Sequence, residues 1–370
     1  MKHGKVIVAL SGGVDSSVAA QLLVEQGYDV EGVYLKYASE TVRGHVDAAS
    51  CTWKEDLAMV EAVGRHIGIP VRSINIEREY DEQVISRFID EYSRGRTPNP
   101  DVLCNRDIKF GFLVRWAKAD GASSLATGHY ARIVATKDGV RLAAGTDTEK
   151  DQSYFLNAIP RDVLAYVRFP IGGMTKQQVR AYARKRRLPT AERRDSQGVC
   201  FVGDLQVNRF LRSCIATAPG PIIDGSGTVR GLHDGIHFYT VGQRHGLGIG
   251  GGTPLFVAKK DPARRTLVVG RGPDDPILFS DVLTAHGPNW LGDPPSTPFR
   301  CQARIRYRQP LADATVSYNE DGSLFVHFDA SQRAVAPGQA VVFYDGDIVL
   351  GGATIATTTP SLTPITNEPA

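Results

Sequence analysis

The chain has 370 residues, of which 42% are hydrophobic and 22% are charged. This length accommodates two or three domains with separate cores, and the composition excludes a disordered or fibrous chain. The formal net charge of +3 permits nucleic-acid binding without requiring it, because basic residues attract a polyanion only where they cluster.

The sequence gives no sign of a membrane or secreted protein. It contains no apolar run long enough to span a membrane, and the first predicted strand follows Met1 too closely to leave room for a signal peptide. We therefore expect a cytoplasmic protein whose five cysteines are reduced or redox-active. The spacing of the cysteines includes no close pair of the zinc-binding type.

The most informative segment joins the first predicted strand, residues 6–10, to a helix predicted near residues 16–26. Its sequence is Ala9-Leu10-Ser11-Gly12-Gly13-Val14-Asp15-Ser16. The glycines allow an anion to approach the backbone, and the free N–H groups of the following helix point towards it. The segment predicts a phosphate-binding loop, and a glycine-rich turn without a ligand is the alternative.

This loop is neither a Walker A loop nor a Gly-x-Gly-x-x-Gly dinucleotide loop, and it contains no lysine. Its Ser-Gly-Gly-x-Asp-Ser order resembles the pyrophosphate-binding loop of the ATP pyrophosphatases. That resemblance implies that ATP binds along residues 9–16 and that Asp15 helps to hold Mg²⁺ at the phosphates.

Strands and helices alternate through the first half of the chain. After the loop, strands are predicted at residues 30–35, 71–74 and 124–127, and helices near residues 53–67, 80–94 and 108–119. This alternation predicts a doubly wound parallel sheet, an α/β fold, with the phosphate loop beyond the carboxyl ends of its strands.

The second half of the chain has closely spaced Gly, Pro and Asp, which favour short strands. A small, mostly β module is predicted from about residue 220, with strands at 236–241, 253–258 and 266–269. A C-terminal β-barrel is predicted from about residue 280, with strands at 299–307, 314–318, 323–328, 340–344 and 348–355. We expect domains at residues 1–205, 206–275 and 276–356, followed by a disordered tail at 357–370.

Two cysteines lie in distinctive segments. Thr97-Pro98-Asn99-Pro100-Asp101-Val102-Leu103-Cys104-Asn105 carries Cys104, and Ser196-Gln197-Gly198-Val199-Cys200-Phe201 carries Cys200. Both cysteines have loop-forming neighbours, where a thiolate is accessible and its pKa can be adjusted, so we expect both to be functional. The other three, Cys51, Cys214 and Cys301, are expected to be buried apolar residues. From spacing alone, Asp101 would be the cap of the following helix.

Two further segments complete the pattern, Thr127-Gly128-His129-Tyr130-Ala131-Arg132 and Lys150-Asp151-Gln152-Ser153-Tyr154-Phe155-Leu156. Together with the loop and the cysteine segments, they closely resemble the tRNA-specific 2-thiouridylases, from about residue 5 to 356. These enzymes convert the wobble uridine of certain tRNAs to 2-thiouridine. The resemblance implies adenylylation of the uridine oxygen by ATP, followed by replacement of that oxygen with sulfur.

The resemblance also implies residue roles. Cys200 would receive and deliver a persulfide, while Cys104 would either attack the activated carbon or resolve the persulfide through a Cys104–Cys200 disulfide. Asp101 would act as general acid or base. Gly128 and Leu35 would contact the adenine, whereas His129 is expected to be an ordinary loop histidine. The segments expected to contact tRNA are Asn99-Pro100-Asp101 and Lys150-Asp151-Gln152.

Basic residues cluster in two places. One cluster, between residues 180 and 194, is typical of a solvated helix face. The other predicts a strand that turns Arg304, Arg306 and Arg308 to one side, suited to phosphates, with Tyr307 placed to stack on a base. We expect Arg306 and Tyr307 to contact tRNA, mainly because the family reads tRNA in this strand.

The implied substrates are the tRNAs for Lys, Glu and Gln, and the implied partner is a persulfide donor, either a cysteine desulfurase or a relay protein. We expect a monomer with no permanently bound cofactor. Two other functions stay open: an amidating ATP pyrophosphatase, which would need no cysteine pair, and a non-catalytic nucleotide- and RNA-binding protein.

Overall fold

The computed structural model describes residues 3–37, 39, 53–194, 207–250 and 252–359. Cys51 and Cys200 lie outside these residues, as does the predicted tail beyond Thr359. Among the described residues, no helix is both long and apolar enough to cross a membrane.

The N-terminal part is a five-stranded parallel sheet with helices packed against it, as predicted. In chain order its strands are β1 (His3–Ala9), β2 (Tyr28–Lys36), β3 (Val71–Asn75), β4 (Ser124–Ala126) and β7 (Val167–Arg168), arranged β3-β2-β1-β4-β7. The centre of β1 is buried because helices cover both faces, with Val6, Ile7 and Val8 at 0% exposure.

Of the helices described in this part, four lie between successive parallel strands and a fifth follows the last strand. They are α1 (Val14–Glu25), α2 (Trp53–Ile67), α3 (residues 77–93), α4 (residues 100–119) and α5 (Lys176–Lys185). Both α3 and α4 contain a π-helical stretch, at Asp81–Ile85 and Cys104–Phe112. The sequence predicted α4 only from residue 108, because its first turn begins at a proline that also fits a loop.

A small β module follows α6 (Val207–Cys214). Its strands β8 (Gly220–Asp224), β9 (Val229–His233), β10 (Leu255–Asp261) and β11 (Thr266–Arg271) form a sheet in the order β10-β11-β8-β9. The strand predicted at residues 236–241 is wrong, because this segment begins with a short 3₁₀ turn at Ile236–Phe238. Its apolar side chains are buried without pairing to a neighbouring strand.

The C-terminal part is a closed barrel, also as predicted. Its strands are β12 (Phe279–Trp290), β13 (Phe299–Arg304), β14 (Ala312–Tyr318), β15 (Leu324–Arg333), β16 (Ala340–Asp345) and β17 (Ile348–Thr359). The order β12-β15-β14-β13-β16-β17 closes through pairing of β12 with β17. Since β17 continues to Thr359, the first three residues of the predicted disordered tail belong to a strand.

The barrel sheet extends into the N-terminal part of the chain. The hairpin β5 (Ala131–Thr136) and β6 (Gly139–Ala144) joins β17 through pairing of Ile348 with Ala143. The hairpin begins directly after the segment that carries Gly128, so the barrel is connected to the phosphate-loop side of the parallel sheet.

Candidate active site

The phosphate loop lies at the topological switch point of the parallel sheet, where successive strands are added first on one side of β1 and then on the other. Strand β1 has β2 on one side and β4 on the other, so residues 10–13 and Thr127-Gly128 leave the sheet side by side. In open α/β sheets, ligands bind at this position. The sequence prediction that the loop lies beyond the carboxyl ends of the strands is therefore confirmed.

The loop is shaped by glycine backbone and serine hydroxyls. Gly12 has a φ of +78°, in the left-handed region that favours glycine. The hydroxyls of Ser16 and Ser17 donate to the carbonyl oxygen of Gly13, at 3.2 and 2.8 Å. No side chain of the described residues caps the N-terminus of α1, so its first-turn N–H groups can bind an anion.

Gly128 packs directly on the first turn of α1. A Cβ at this position would lie 2.6 Å from the nitrogen of Ser16 and 2.8 Å from the carbonyl carbon of Asp15. Both atoms belong to backbone that cannot rotate away, so position 128 requires glycine. Leu35 lies at the end of β2 and is buried in the core at 3% exposure.

Asp15 has two partners that the sequence analysis did not identify. Its carboxylate oxygens lie 2.9 and 2.8 Å from Nζ of Lys176, and Oδ1 accepts a 2.7 Å hydrogen bond from the hydroxyl of Tyr130. Lys176 comes from α5, 161 residues later in the chain, so no local motif could indicate it.

Arg193 braces the opposite side of the loop. Its guanidinium donates to the carbonyl oxygen of Gly12 at 2.9 Å and pairs with Asp56 of α2. Arg180 in turn donates to the carbonyl oxygens of Ala191 and Arg193. Several members of the basic cluster at residues 180–194 therefore bind within the protein, where the sequence predicted a solvated face.

His129 follows Gly128 and is buried at 7% exposure. One of its ring nitrogens, Nδ1, lies 2.7 Å from the hydroxyl oxygen of Thr127. Burial lowers the pKa of the imidazole well below its ordinary value, and the nearby charge of Lys109 lowers it further. This environment agrees with the prediction of an ordinary, hydrogen-bonded loop histidine.

The Cys104 segment is helical, in contrast to the prediction of an accessible loop cysteine. Asn99 caps α4 by accepting hydrogen bonds from the backbone nitrogens of Asp101 and Val102, and Pro100 is in the first turn. The cap is thus Asn99, and the alternative role of Asp101 as the cap is wrong. Cys104 has 0% exposure because it lies one turn into the helix, within the main hydrophobic core.

The barrel holds the start of this segment. Gln339 donates from Nε2 to the carbonyl oxygen of Thr97 at 2.7 Å, and the backbone nitrogen of Thr97 donates to Pro337 at 2.9 Å. Gly338 has a φ of +94°, and a Cβ there would lie within 3.0 Å of the Thr97 backbone. The barrel loop at residues 337–339 therefore helps to position the Asn99-Pro100-Asp101 segment.

The segment Lys150-Asp151-Gln152 is held by hydrogen bonds to neighbouring backbone groups of the protein. Asp151 is 3% exposed and accepts hydrogen bonds from the backbone nitrogens of Gly145 and Ser153 at 2.9 and 3.0 Å. Gln152 pairs with the backbone of Tyr130 in both directions, at 3.0 and 2.8 Å. Tyr130 thus contacts both this segment and Asp15.

The predicted arginine-bearing strand ends earlier than expected. Strand β13 stops at Arg304, and Arg308 has a φ of +62°, so the expected alternation of side chains does not continue. Arg306 donates to the carbonyl oxygens of Val241 and Ala334 at 3.0 and 2.6 Å, and burial lowers the pKa of its guanidinium. Tyr307 packs on Phe155, with ring centroids 4.5 Å apart.

The remaining cysteines of the described residues differ in exposure. Cys301 is buried, as expected, and burial raises the pKa of its thiol to about 12. Cys214 at the end of α6 is exposed, so the prediction that it is buried is wrong. Within the described ranges, no group of three or more His, Cys, Asp and Glu side chains is arranged to hold a metal ion.

Three family models match successive parts of the chain. They are described as the tRNA methyl transferase HUP domain at residues 4–204, the tRNA methyl transferase PRC-barrel domain at residues 208–271 and the aminomethyltransferase beta-barrel domain at residues 280–355. The first model alone covers more than half of the chain.

Similar proteins match nearly the full length. The tRNA-specific 2-thiouridylase MnmA of Shouchella clausii is 46% identical over 353 residues, which cover 95% of this chain and 96% of the relative. The protein of the same name from Bacillus subtilis is 47% identical over 354 residues, covering 95% and 94%. At this identity and coverage, the chain belongs to the tRNA-specific 2-thiouridylase family.

Proposed function

We propose that the protein catalyses the ATP-dependent 2-thiolation of the wobble uridine of tRNA. The observation that carries the proposal is the near full-length similarity to the 2-thiouridylases, together with a glycine-rich loop at the topological switch point of the sheet. A loop of this kind suits the phosphates of a nucleotide, and ATP is the reagent that turns a carbonyl oxygen into a leaving group.

ATP would bind along the loop, with its adenine near Leu35 and Gly128. The loop residues proposed to bind it are Ala9, Leu10, Ser11, Gly12, Gly13, Val14, Asp15 and Ser16. Asp15 would supply a carboxylate to Mg²⁺, which in such sites usually binds one or two carboxylates together with phosphate oxygens. Asp15 fits this role because it is partly exposed beside the phosphate loop, provided that Lys176 releases it.

The sulfur chemistry would use two cysteines. In the proposed reaction, the uridine oxygen attacks the α-phosphate of ATP and pyrophosphate leaves. The terminal sulfur of a Cys200 persulfide then enters at the activated carbon, and AMP departs. Cys104 would either attack the carbon first, displacing AMP before the persulfide sulfur displaces Cys104 in turn, or act only as the resolving thiol. In both cases the Cys104 thiolate would attack Sγ of Cys200 and break the persulfide S–S bond. Sulfur would stay on the uridine, and an external thiol would reduce the resulting Cys104–Cys200 disulfide. Asp101 would transfer protons during these steps.

The burial of Cys104 sets a condition on this chemistry. A thiol with no exposed surface reacts only when neighbouring groups move away. The first turn of α4 is held by the Asn99 cap and by the barrel loop at Gln339. We therefore propose that tRNA gains access to Cys104 by moving this short segment while the rest of α4 stays in place.

The proposed tRNA contacts are Asn99, Pro100 and Asp101 around the base, with Lys150, Asp151, Gln152, Arg306 and Tyr307 farther along the tRNA. Since Asp151 and Arg306 are bound within the protein, they would act by positioning their neighbours. We further propose a cytoplasmic monomer with the domains 1–205, 206–275 and 276–356. It would take sulfur from a persulfide donor and act on the tRNAs for Lys, Glu and Gln.

One assay tests the proposal. The purified protein is incubated with unmodified tRNA, ATP, Mg²⁺ and a persulfide source, and the nucleosides are analysed by mass spectrometry. We expect 2-thiouridine together with stoichiometric pyrophosphate and AMP. Replacement of Cys200 by Ser should abolish thiolation while pyrophosphate release continues.

The same assay separates the other functions. The family models carry a methyl transferase description, so S-adenosylmethionine is included in a parallel reaction. Methylated uridine without sulfur would replace the proposal with methyl transfer. Amination of the base would favour an amidating enzyme, and tRNA binding without pyrophosphate release would favour a non-catalytic protein.

A further inference from the structure

We propose that Lys176 is a ligand of the phosphate chain, and that it holds Asp15 until a nucleotide arrives. This inference rests on the proposed use of ATP at the Ser11–Ser16 loop. It supplies the cation that the loop sequence lacks, and nothing in the sequence around the loop indicates it.

The contact between the two side chains is close and largely shielded from water. Nζ of Lys176 lies 2.8 and 2.9 Å from the two oxygens of Asp15, with the lysine side chain 14% exposed and that of Asp15 30% exposed. The ammonium therefore already contacts a residue in the first turn of α1, directly after the loop. A small movement would carry it to an anion bound there.

The electrostatic surroundings favour such an anion. Helices α1 and α5 lie parallel, because Lys176 meets Asp15 at their N-terminal ends and Arg186 meets Glu25 at their C-terminal ends, at 2.8 Å. Two positive helix ends and the Lys176 ammonium therefore lie close to Asp15, while Arg193 is paired with Asp56 and Asp147 accepts from the first turn of α5. Since no described side chain caps the N-terminus of α1, a phosphate chain bound there would offer Lys176 a partner with more negative charge than the single carboxylate of Asp15.

The lysine backbone is fixed while its side chain can move. Thr175 and Gln178 form a capping box around the first turn of α5, and the backbone nitrogen of Lys176 donates to Asp147 at 2.7 Å. Rotation about the bonds of the four-carbon side chain can move the ammonium while this backbone stays in place. Transfer of Nζ to phosphate would free the Asp15 carboxylate for Mg²⁺, so both groups would change partner in one event.

The helix pair offers a matched control. Replacement of Lys176 by Met removes the ion pair at the loop end of α1 and α5, and Arg186→Met removes the corresponding pair at the far end. Inorganic pyrophosphate, titrated by calorimetry with and without Mg²⁺, serves as a probe of the phosphate chain alone. We expect Lys176→Met to weaken pyrophosphate binding about 10- to 100-fold, the range for one charged hydrogen bond, and Arg186→Met to leave it unchanged.

A second variant reveals the exchange with Asp15. Replacement of Asp15 by Asn should tighten metal-free pyrophosphate binding, because Lys176 is released, and should remove the effect of Mg²⁺. In the Lys176→Met background this tightening should disappear. Equal tightening in both backgrounds would mean that only a repelling charge had been removed, and would overturn the inference.

A measurement on proteins that keep the lysine covers the case in which Lys176→Met fails to fold. In the Asp15→Asn protein, pyrophosphate should protect Lys176 from acetylation, read by peptide mass spectrometry, but should not protect the exposed Lys185 at the other end of α5. Absence of protection would overturn the inference. Unchanged pyrophosphate affinity in Lys176→Met would overturn this inference alone. A wild-type protein that binds neither pyrophosphate nor ATP would overturn the proposed function as well.

Discussion

Single residues decide whether the candidate phosphate site can form. Gly128 shows this most directly, because its missing side chain is the space occupied by the first turn of α1. The sequence analysis assigned Gly128 to adenine contact, and the structure adds a packing reason that a sequence pattern does not contain. The same glycine can serve both purposes, since close packing against α1 also leaves its backbone bare at the sheet edge.

Replacement of Gly128 by Ala should lower stability by about 1–3 kcal/mol and weaken ATP binding. The added Cβ would press on the backbone of Asp15 and Ser16, which must shift and carry the loop with them. Thermal unfolding and ATP titration measure the two effects. Gly173→Ala is the control, because a Cβ at Gly173 meets nothing within 4 Å. Equal behaviour of the two variants would show that the contact at Gly128 can relax without cost.

At the scale of elements, the regular parts were predictable and the irregular parts were not. The helix at Trp53–Ile67 follows a clear apolar period and was predicted with its observed bounds. The early end of β13 at Arg304 was missed because alternating Arg and apolar residues predict a strand even where the backbone is no longer extended. The partners of Arg306, the carbonyl oxygens of Val241 and Ala334, lie far away in sequence and carry no side-chain signal.

Arg306 consequently links three separate segments of the chain, and its replacement should act on their packing. We expect Arg306→Ala to lower stability by about 1–3 kcal/mol, because two buried carbonyl groups lose a charged donor. Binding of tRNA should weaken with little change in its salt dependence, since no direct phosphate contact is lost. Titration at several salt concentrations measures both.

The exposed Arg300, paired with Asp329 on the barrel surface, provides the control for removal of one positive charge. Arg300→Ala should leave stability nearly unchanged. If Arg306→Ala instead flattens the log–log salt slope by about 0.7–0.9 without loss of stability, Arg306 contacts a phosphate directly, as the sequence analysis expected.

At the scale of the whole molecule, the barrel is part of the framework around the candidate active site. The hairpin β5–β6 extends the barrel sheet, and Gln339 holds the segment that leads to Cys104. The sequence predicted a parallel sheet, a β module and a barrel in the correct order, because each has its own local pattern. It could not predict their joining, since that depends on pairs such as Ala143 with Ile348, which are far apart in the chain.

The hydroxyl of Tyr154 tests whether this joining supports the site. It is fully buried and lies 3.2 and 2.9 Å from the carbonyl oxygens of Ile305 and Ala340, so it ties the segment after Gln152 to the residue that follows β13 and to the first residue of β16. Tyr154→Phe removes the hydroxyl that donates to these two buried carbonyl oxygens, and should lower stability by about 1–3 kcal/mol. Hydrogen exchange should become faster at residues 97–101 and 334–340, because the barrel loop that holds Thr97 directly precedes Ala340. Tyr166→Phe is the control, since its hydroxyl donates to Ala122 within the parallel-sheet part at 2.8 Å. That variant should lose stability without faster exchange at residues 97–101, and the same exchange pattern in both variants would mean that the barrel does not position the Cys104 segment.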